Sequence, residues 1–225
     1  MKISIIIPVL NEEKILSKTL SSINLQGNEL IIVDGGSTDN TLEIANKFTD
    51  KIISSKKGRG AQLSAGAGAA SHNILFILHA DCIPPQNTFD LIRKTLNIKG
   101  VSAGSFMFGI DLKGIPFRII ELAVFVRSLI TRIPYGDQGL FMTKAAYQEI
   151  GGFNDLPIME DIDIAQRLKK HGRIVFLREK MIVSARRWLK EGILYTTLRD
   201  WSIALMYTFF NINPKRLIRH YKDVR

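Results

Sequence analysis

The sequence predicts an α/β protein with a mostly parallel sheet flanked by helices and closed by C-terminal helices, and three observations carry that expectation. From Lys2 to about Leu78, short β-branched runs alternate with segments of helical period, the pattern of parallel strands joined by crossover helices. Polar clusters stand where three of those runs stop, after Ile7, Val33 and Leu78, at the edge where open α/β sheets collect ligands. The 225 residues are 46% hydrophobic and 23% charged, which excludes a disordered or fibrous chain and suits one continuous core.

Strands are expected at Ile3–Ile7, Leu30–Val33, Ile52–Ser54 and Ile74–Leu78. Between them, Glu12–Leu25 places Ile15, Leu16, Thr19, Leu20 and Ile23 on one helical face, and Thr41–Phe48 does the same with Leu42, Ile44, Ala45 and Phe48. The small residues of Ala61–Ala70 allow a helix to approach a neighbouring backbone closely, although Gly66 and Gly68 lower its propensity. After Asp81 the alternation changes. Val101–Gly109, Gly139–Met142, Arg173–Leu177 and Met181–Ser184 read as strands, Gly114–Ile133 and Glu160–His171 as helices, and the last forty residues as one or two helices. No repeat or linker divides the chain, so residues 1–225 are expected to form one domain.

The single cysteine, Cys82, excludes an internal disulfide, and no Cys/His cluster has zinc-ligand spacing. The apolar start, Met1 to Pro8, is too short for a signal-peptide core and lacks a small-residue cleavage site. Ile115–Ile133 and Ile193–Phe210 are interrupted by charges and make poor membrane spans. A cytoplasmic chain is therefore expected. The formal charge is +10, of which residues 186–225 supply nine Lys/Arg against three Asp/Glu. Aromatic residues from Trp188 to Tyr221 interleave with those charges. Such a tail packs on the domain, forms a homodimer surface, or rests on the anionic inner face of a membrane as a peripheral contact.

The polar strand ends hold the chemistry. Pro8-Val9-Leu10-Asn11-Glu12 ends the first strand, Asp34-Gly35-Gly36-Ser37-Thr38-Asp39 the second, and His79-Ala80-Asp81 the fourth. Taken singly, Asn11-Glu12-Glu13 is a helix cap, the Asp34 turn a tight connection, and Asp81 a surface acid. The dinucleotide fingerprint GxGxxG is absent.

Together and in order, Ile5–Glu13, Ile32–Thr41, Gly58-Arg59-Gly60, His79-Ala80-Asp81, Gly136-Asp137-Gln138-Gly139 and Met159–Asp163 resemble the family 2 glycosyltransferases, which have the GT-A fold. The resemblance runs through nearly the whole chain. It implies a nucleotide-sugar-binding half over residues 1–100 and an acceptor and catalytic half over 101–189, followed by the basic aromatic tail, 190–225. It places Pro8, Asn11, Glu12, Asp34, Arg59 and His79 at the donor nucleotide, with Asp34 accepting from the base. Asp81 is implied as the ligand of Mg²⁺ or Mn²⁺ on the diphosphate. Asp161 is implied as the general base of an inverting transfer from a nucleotide sugar, UDP-linked by preference, to a hydroxyl on a small molecule or a lipid. The family's acidic-x-acidic pair is here His79-Ala80-Asp81, with one carboxylate missing. Its histidine is either a metal or ribose contact or a packed structural residue.

Ser184-Ala185-Arg186-Arg187-Trp188 resembles the Gln-x-x-Arg-Trp motif of processive members, with Ser184 in place of the glutamine. Arg186 and Arg187 are expected on the diphosphate, where guanidinium forks bind oxygens bidentately. Asp137, Gln138, Glu160 and Trp188 are expected at the acceptor or donor sugar. The compact motif order also resembles a small bacterial subgroup linked to arsenosugar biosynthesis, which does not fix the acceptor.

Two competing functions stay open. Nucleotidyl transfer would place a basic glycine-rich loop after the first strand, where this chain has Pro8–Glu12. A non-catalytic binder of membrane or nucleic acid would use the +10 charge but leave Asp34, Asp81 and Asp161 without a role, since carboxylates repel a phosphate track. Nucleic acid is accordingly not expected as a partner.

Overall fold

In a computed structural model describing residues 1–210 and 212–220, the chain forms eight strands: β1 (Ile3–Val9), β2 (Glu29–Asp34), β3 (Ile52–Ser54), β4 (Ile74–Ile77), β5 (Cys82–Ile83), β6 (Val101–Ile110), β7 (Phe141–Thr143) and β8 (Arg173–Val183). They make one sheet in the order β3-β2-β1-β4-β7-β6-β8-β5. The β3-β2-β1-β4 half is parallel. Beyond it β7 runs antiparallel to β4 and β6, β8 parallel to β6, and β5 antiparallel to β8, so the sheet is parallel through its first half and mixed beyond.

Alternation along β1 explains the two cores. Ile3, Ile5, Ile7 and Val9 join one buried cluster with Ile32 and Phe76, while Ile6 joins the other with Ile31, Val33, Leu75 and Ile77. Both faces are covered, so these strands read as continuous apolar runs.

The helices are α1 (Leu16–Ser21), α2 (Thr41–Ala45), α3 (Arg59–Ala69), α4 (Thr88–Leu96), α5 (Ile115–Thr131), α6 (Lys144–Glu149), α7 (Glu160–His171), α8 (Arg186–Glu191), α9 (Ile193–Phe210) and α10 (Pro214–Leu217). The first helix is far shorter than the expected Glu12–Leu25. The N–H groups of Asn11, Glu12 and Glu13 donate to Ser37 Oγ, Thr41 Oγ1 and Asp39 Oδ2 at 2.9, 2.7 and 3.2 Å; side chains of the neighbouring loop hold this segment outside the helix. Helix α3 fits as its small residues require. A Cβ on Gly66 would stand 2.4 Å from Ile6 Cγ2 and 2.9 Å from Val33 Cγ2.

Two expected strands, Arg173–Leu177 and Met181–Ser184, are one strand, β8, which absorbs the polar residues 178–180 opposite an irregularity between Phe106 and Met107 of β6. The expected Gly139–Met142 strand begins later, because Gly136–Gln138 forms a 3₁₀ turn first. The expected C-terminal helix reaches Phe210 and restarts at Pro214; Tyr221 and the basic residues after it lie outside the described residues. No helix among the described residues is long and apolar enough to cross a membrane.

Candidate active site

The carboxyl ends of β1, β2 and β4 lie along one edge of the sheet. At the β1–β2 end the chain is tied into a dense network. Asp34, 4% exposed, accepts from Gly36 N at 3.0 Å, from Ser37 N at 3.1 Å and from Ser37 Oγ at 2.5 Å. Asn11 takes the left-handed conformation (φ 54°), which Asn tolerates, and its Oδ1 accepts from Thr38 N at 2.8 Å. Gln62 Nε2 donates to Val9 O and Val33 O at 2.8 and 2.9 Å, pinning α3 to the two strand ends.

At the β4 end a cavity of about 170 Å³ opens, lined among others by Arg59, His79, Asp81, Asp137, Asp161, Arg187, Trp188 and Trp201. Helix α7 presents Asp161 in its first turn, after Met159 turns the chain in the left-handed region (φ 66°). The N–H of Gly136 donates to Asp161 Oδ2 at 2.6 Å. A side chain there would force a neighbour to move. A Cβ at position 136 would lie 2.6 Å from His79 Cε1 and Nε2 and 3.4 Å from Asp161 Oδ2.

The electrostatics of the cavity follow from burial and crowding. Burial, with Arg59 nearby, lowers His79 to about 4, so its imidazole is neutral at pH 7. Burial alone would raise Asp81, yet Arg186 and the other nearby positive charges hold it below its ordinary value. Asp137 is pushed up to about 6 by burial, against the pull of Arg127 and with the push of Asp161 and Asp81. Glu160, 1% exposed with neither carboxylate oxygen hydrogen-bonded, is pushed up to about 7 by burial and by the adjacent Asp161.

Several residues expected at the site are not among those lining this cavity. Pro8 is buried inside β1 in register with Val33. Asp34, expected on the base, accepts from the backbone and hydroxyl of its own turn. Arg186, expected on the diphosphate, clasps Glu12 (Nη1–Oε2 2.6 Å) and Asp81 (Nη2–Oδ2 3.3 Å); Arg59, Arg127 and Arg187 line the cavity. Gln138, expected at the sugar, is fully buried. Its Oε1 accepts from Arg127 Nη2 at 2.7 Å and Tyr135 N at 3.0 Å, and its Nε2 donates to Phe106 O and Ser128 Oγ. Glu160 sits behind Asp161 instead of in the cavity, because the helix turn that exposes one acid buries its neighbour. Asp137 and Trp188 do line the cavity.

Sequence reasoning missed Arg127 and Tyr135. Arg127 stacks 3.3 Å from the Tyr135 ring centroid, and both line the cavity. An arginine amid the apolar residues of the last two turns of α5, ahead of the Gly136 turn, was the available signal.

The donor set fits a divalent cation. His79, Asp81 and Cys82 each offer one ligand atom, all within 4.8 Å of one another. Burial, with Asp81 beside it, pushes the Cys82 thiol well up, so it keeps its proton. The neutral His79 imidazole and the Asp81 carboxylate remain, a nitrogen and oxygen pair suited to Mn²⁺ or Mg²⁺ completed by phosphate oxygens.

Residues 4–120 match the family model "Glycosyl transferase family 2". The chain belongs to that family. Among curated members, the PGL/p-HBAD biosynthesis glycosyltransferase of Mycobacterium tuberculosis (strain ATCC 25177 / H37Ra) is 43% identical over 166 residues, covering 64% of this chain and 62% of that protein. The family fold extends through the described structure. S. aureus TarS 1–349 in complex with UDP-GlcNAc superposes with a TM-score of 0.65 at 18% identity, covering 98% of this chain and 70% of that one. Mannosyltransferase PcManGT from Pyrobaculum calidifontis, in complex with GDP-Man and Mn²⁺, gives 0.68 at 18% identity, covering 90% and 60%. These likenesses show the GT-A fold. The chain spans less than two thirds of the length of the curated relatives it matches, 36%, 28% and 60% for the first three.

Proposed function

We propose that this family 2 protein transfers a sugar from a nucleotide-sugar donor, UDP-linked by preference, to an acceptor hydroxyl with inversion at the anomeric carbon. One observation carries the reading: the acid held by Gly136 N, Asp161, lines the same cavity as Asp81, His79, Arg59 and Arg187. A carboxylate able to act as base thus shares one small space with groups able to meet a diphosphate.

The chemistry follows from those positions. Asp161, oriented by the Gly136 N–H, takes the proton of the acceptor hydroxyl as its oxygen attacks the anomeric carbon. The bond from that carbon to the β-phosphate oxygen breaks, and its electron pair leaves with the nucleoside diphosphate. Arg59 and Arg187 meet the charge that builds on the departing oxygens. Asp81 and neutral His79 would hold Mg²⁺ or Mn²⁺, which supplies neutralisation of the diphosphate when bound. Asp137, with Trp188 beside the space, holds sugar or acceptor hydroxyls. The Asn11–Glu12 loop, zipped to the Asp34 turn, forms the nucleoside end.

Asp161→Asn keeps the hydrogen bond from Gly136 but loses the base. Turnover should fall by about 10²–10⁴, while stabilisation by UDP with Mn²⁺ in a thermal-shift assay stays. Near-normal turnover by this variant removes Asp161 from the mechanism. The same assay run with GDP decides the nucleotide, since at equal concentration the tighter ligand stabilises the fold more, by RT ln(1 + L/Kd) at free ligand concentration L.

A further inference from the structure

Helices α5 and α9 carry 15 of the 19 large apolar side chains that stand exposed among the described residues, including Ile115 at 78%, Ile130 at 76%, Leu194 at 78% and Phe209 at 71%. A soluble surface scatters such residues; concentrated on two helices they mark a docking face. Between the helices runs a groove of about 510 Å³, lined by Ile119, Leu122, Val126, Ile130, Leu205 and Phe209 among others.

The groove does not end blindly. Arg127, Tyr135, Trp201 and Ala204 line both it and the cavity that holds Asp161. An extended apolar chain lying between α5 and α9 therefore has its polar end directed at the base. Charge completes the pattern. Arg132, just past the end of α5, Lys190 beside α9, and Arg216 and Arg219 beyond it are exposed and suit anionic headgroups around an inserted apolar face.

We propose that the groove holds the hydrocarbon chain of a lipid-borne acceptor, drawn from an anionic membrane on which the exposed faces of α5 and α9 rest, with the acceptor hydroxyl presented to Asp161. This rests on the transferase reading above and names its acceptor class. A second copy of the chain fits less well. A two-fold contact over this face would set its arginines against their own counterparts and close the way to the cavity at Tyr135 and Trp201.

The test is flotation of the full chain on phosphatidylcholine vesicles with and without phosphatidylglycerol, some made with brominated acyl chains. The wild type should float with the anionic vesicles, and the brominated chains should quench an emission component that Trp201→Phe removes. The double substitution Ile130→Glu with Phe209→Glu should lower vesicle partitioning by about tenfold or more, and Leu122→Glu with Leu205→Glu provides an independent pair. All four side chains lie outside the donor cavity, so thermal stabilisation by UDP or GDP with Mn²⁺ should persist and also report folding. A wild type that stays unbound, variants that float like it, or flotation without Trp201 quenching overturns the lipid acceptor while nucleotide stabilisation leaves the transferase reading standing. A dimer in solution, broken by the same substitutions and indifferent to vesicles, overturns it in favour of a second copy. A wild type that no nucleotide stabilises overturns the transferase reading itself.

Discussion

At the β1–β2 end of the sheet edge, Asp34 and Asp39 are each met by backbone and hydroxyl donors: Asp34 by Gly36 and Ser37, Asp39 by the N–H groups of Glu13 and Thr41. At the other end, beside α7, Glu160 is buried with no hydrogen-bond donor and Asp137 is pushed up to about 6. Asp39 is held ionised at one end, while Glu160 and Asp137 are driven toward neutrality at the other. Donors that stabilise a carboxylate also fix the loop that carries it, which suits a rigid nucleoside end. A crowded set of acids without donors costs stability, and such sets belong where protons move.

Gly136 is where this contrast is most easily broken, because it separates His79 from Asp161. Gly136→Ala forces the imidazole or the 3₁₀ turn aside and disturbs the 2.6 Å bond that orients Asp161. Displacement of a catalytic group by about 1 Å can cost roughly 10² in rate, and turnover of the variant should fall on that scale with its circular dichroism unchanged. Full turnover would mean that the crowding at position 136 does not set the position of the base.

The contrast was only partly legible in the linear chain. Helix Glu160–His171 was readable to the residue, because acids in its first turn, a 3.6-residue apolar period and basic residues in its last turn all agree. The parallel half of the sheet was readable from its unbroken apolar strands. Helix α4 was overlooked, although Phe89 and Ile92 lie buried along it, because the prolines and polar residues before it suggested loop. Arg186 could not be placed. Its partners Glu12 and Asp81 lie 174 and 105 positions away, and only the pairing of β5 with β8 brings the start of α8 back to the β4 edge. The motifs named the residues that gather at the site. Which of two adjacent acids, Glu160 or Asp161, faces the cavity depends on the turn at Met159, which leaves no mark in the pattern.

Glu160→Gln sharpens the comparison through pH. In the unfolded chain Glu160 loses its proton near its ordinary value of 4.5, and in the fold near 7. Between those values the folded state binds the proton more tightly, so the wild type loses stability as pH rises through this window, by up to about 3 kcal/mol. Glutamine does not titrate. The variant should be the more stable protein at pH 8, and its advantage in urea denaturation should vanish near pH 4, where the glutamic acid is neutral in both states. An advantage independent of pH would show that burial of Glu160 carries no ionisation cost.

Asp39→Asn tests the opposite region with the opposite sign. Burial works against ionisation of Asp39, but hydrogen bonds from Thr41 and Glu13 outweigh it and hold the carboxyl below 3.8. Its contribution is therefore present above the unfolded value and lost as pH falls through the lower folded one. Asparagine keeps one acceptor oxygen of two and should lower stability at pH 7 by about 1 kcal/mol, read from the urea midpoint at constant slope. Acidification should close that gap only below pH 4, once the wild-type carboxyl is protonated in the fold as well. Both substitutions thus converge on the wild type in acid, from the stable side for Glu160→Gln and from the unstable side for Asp39→Asn. If the Asp39 gap instead widened on acidification, the donors around its loop would not be stabilising an ionised group, and the division between the two ends of the sheet edge would fail.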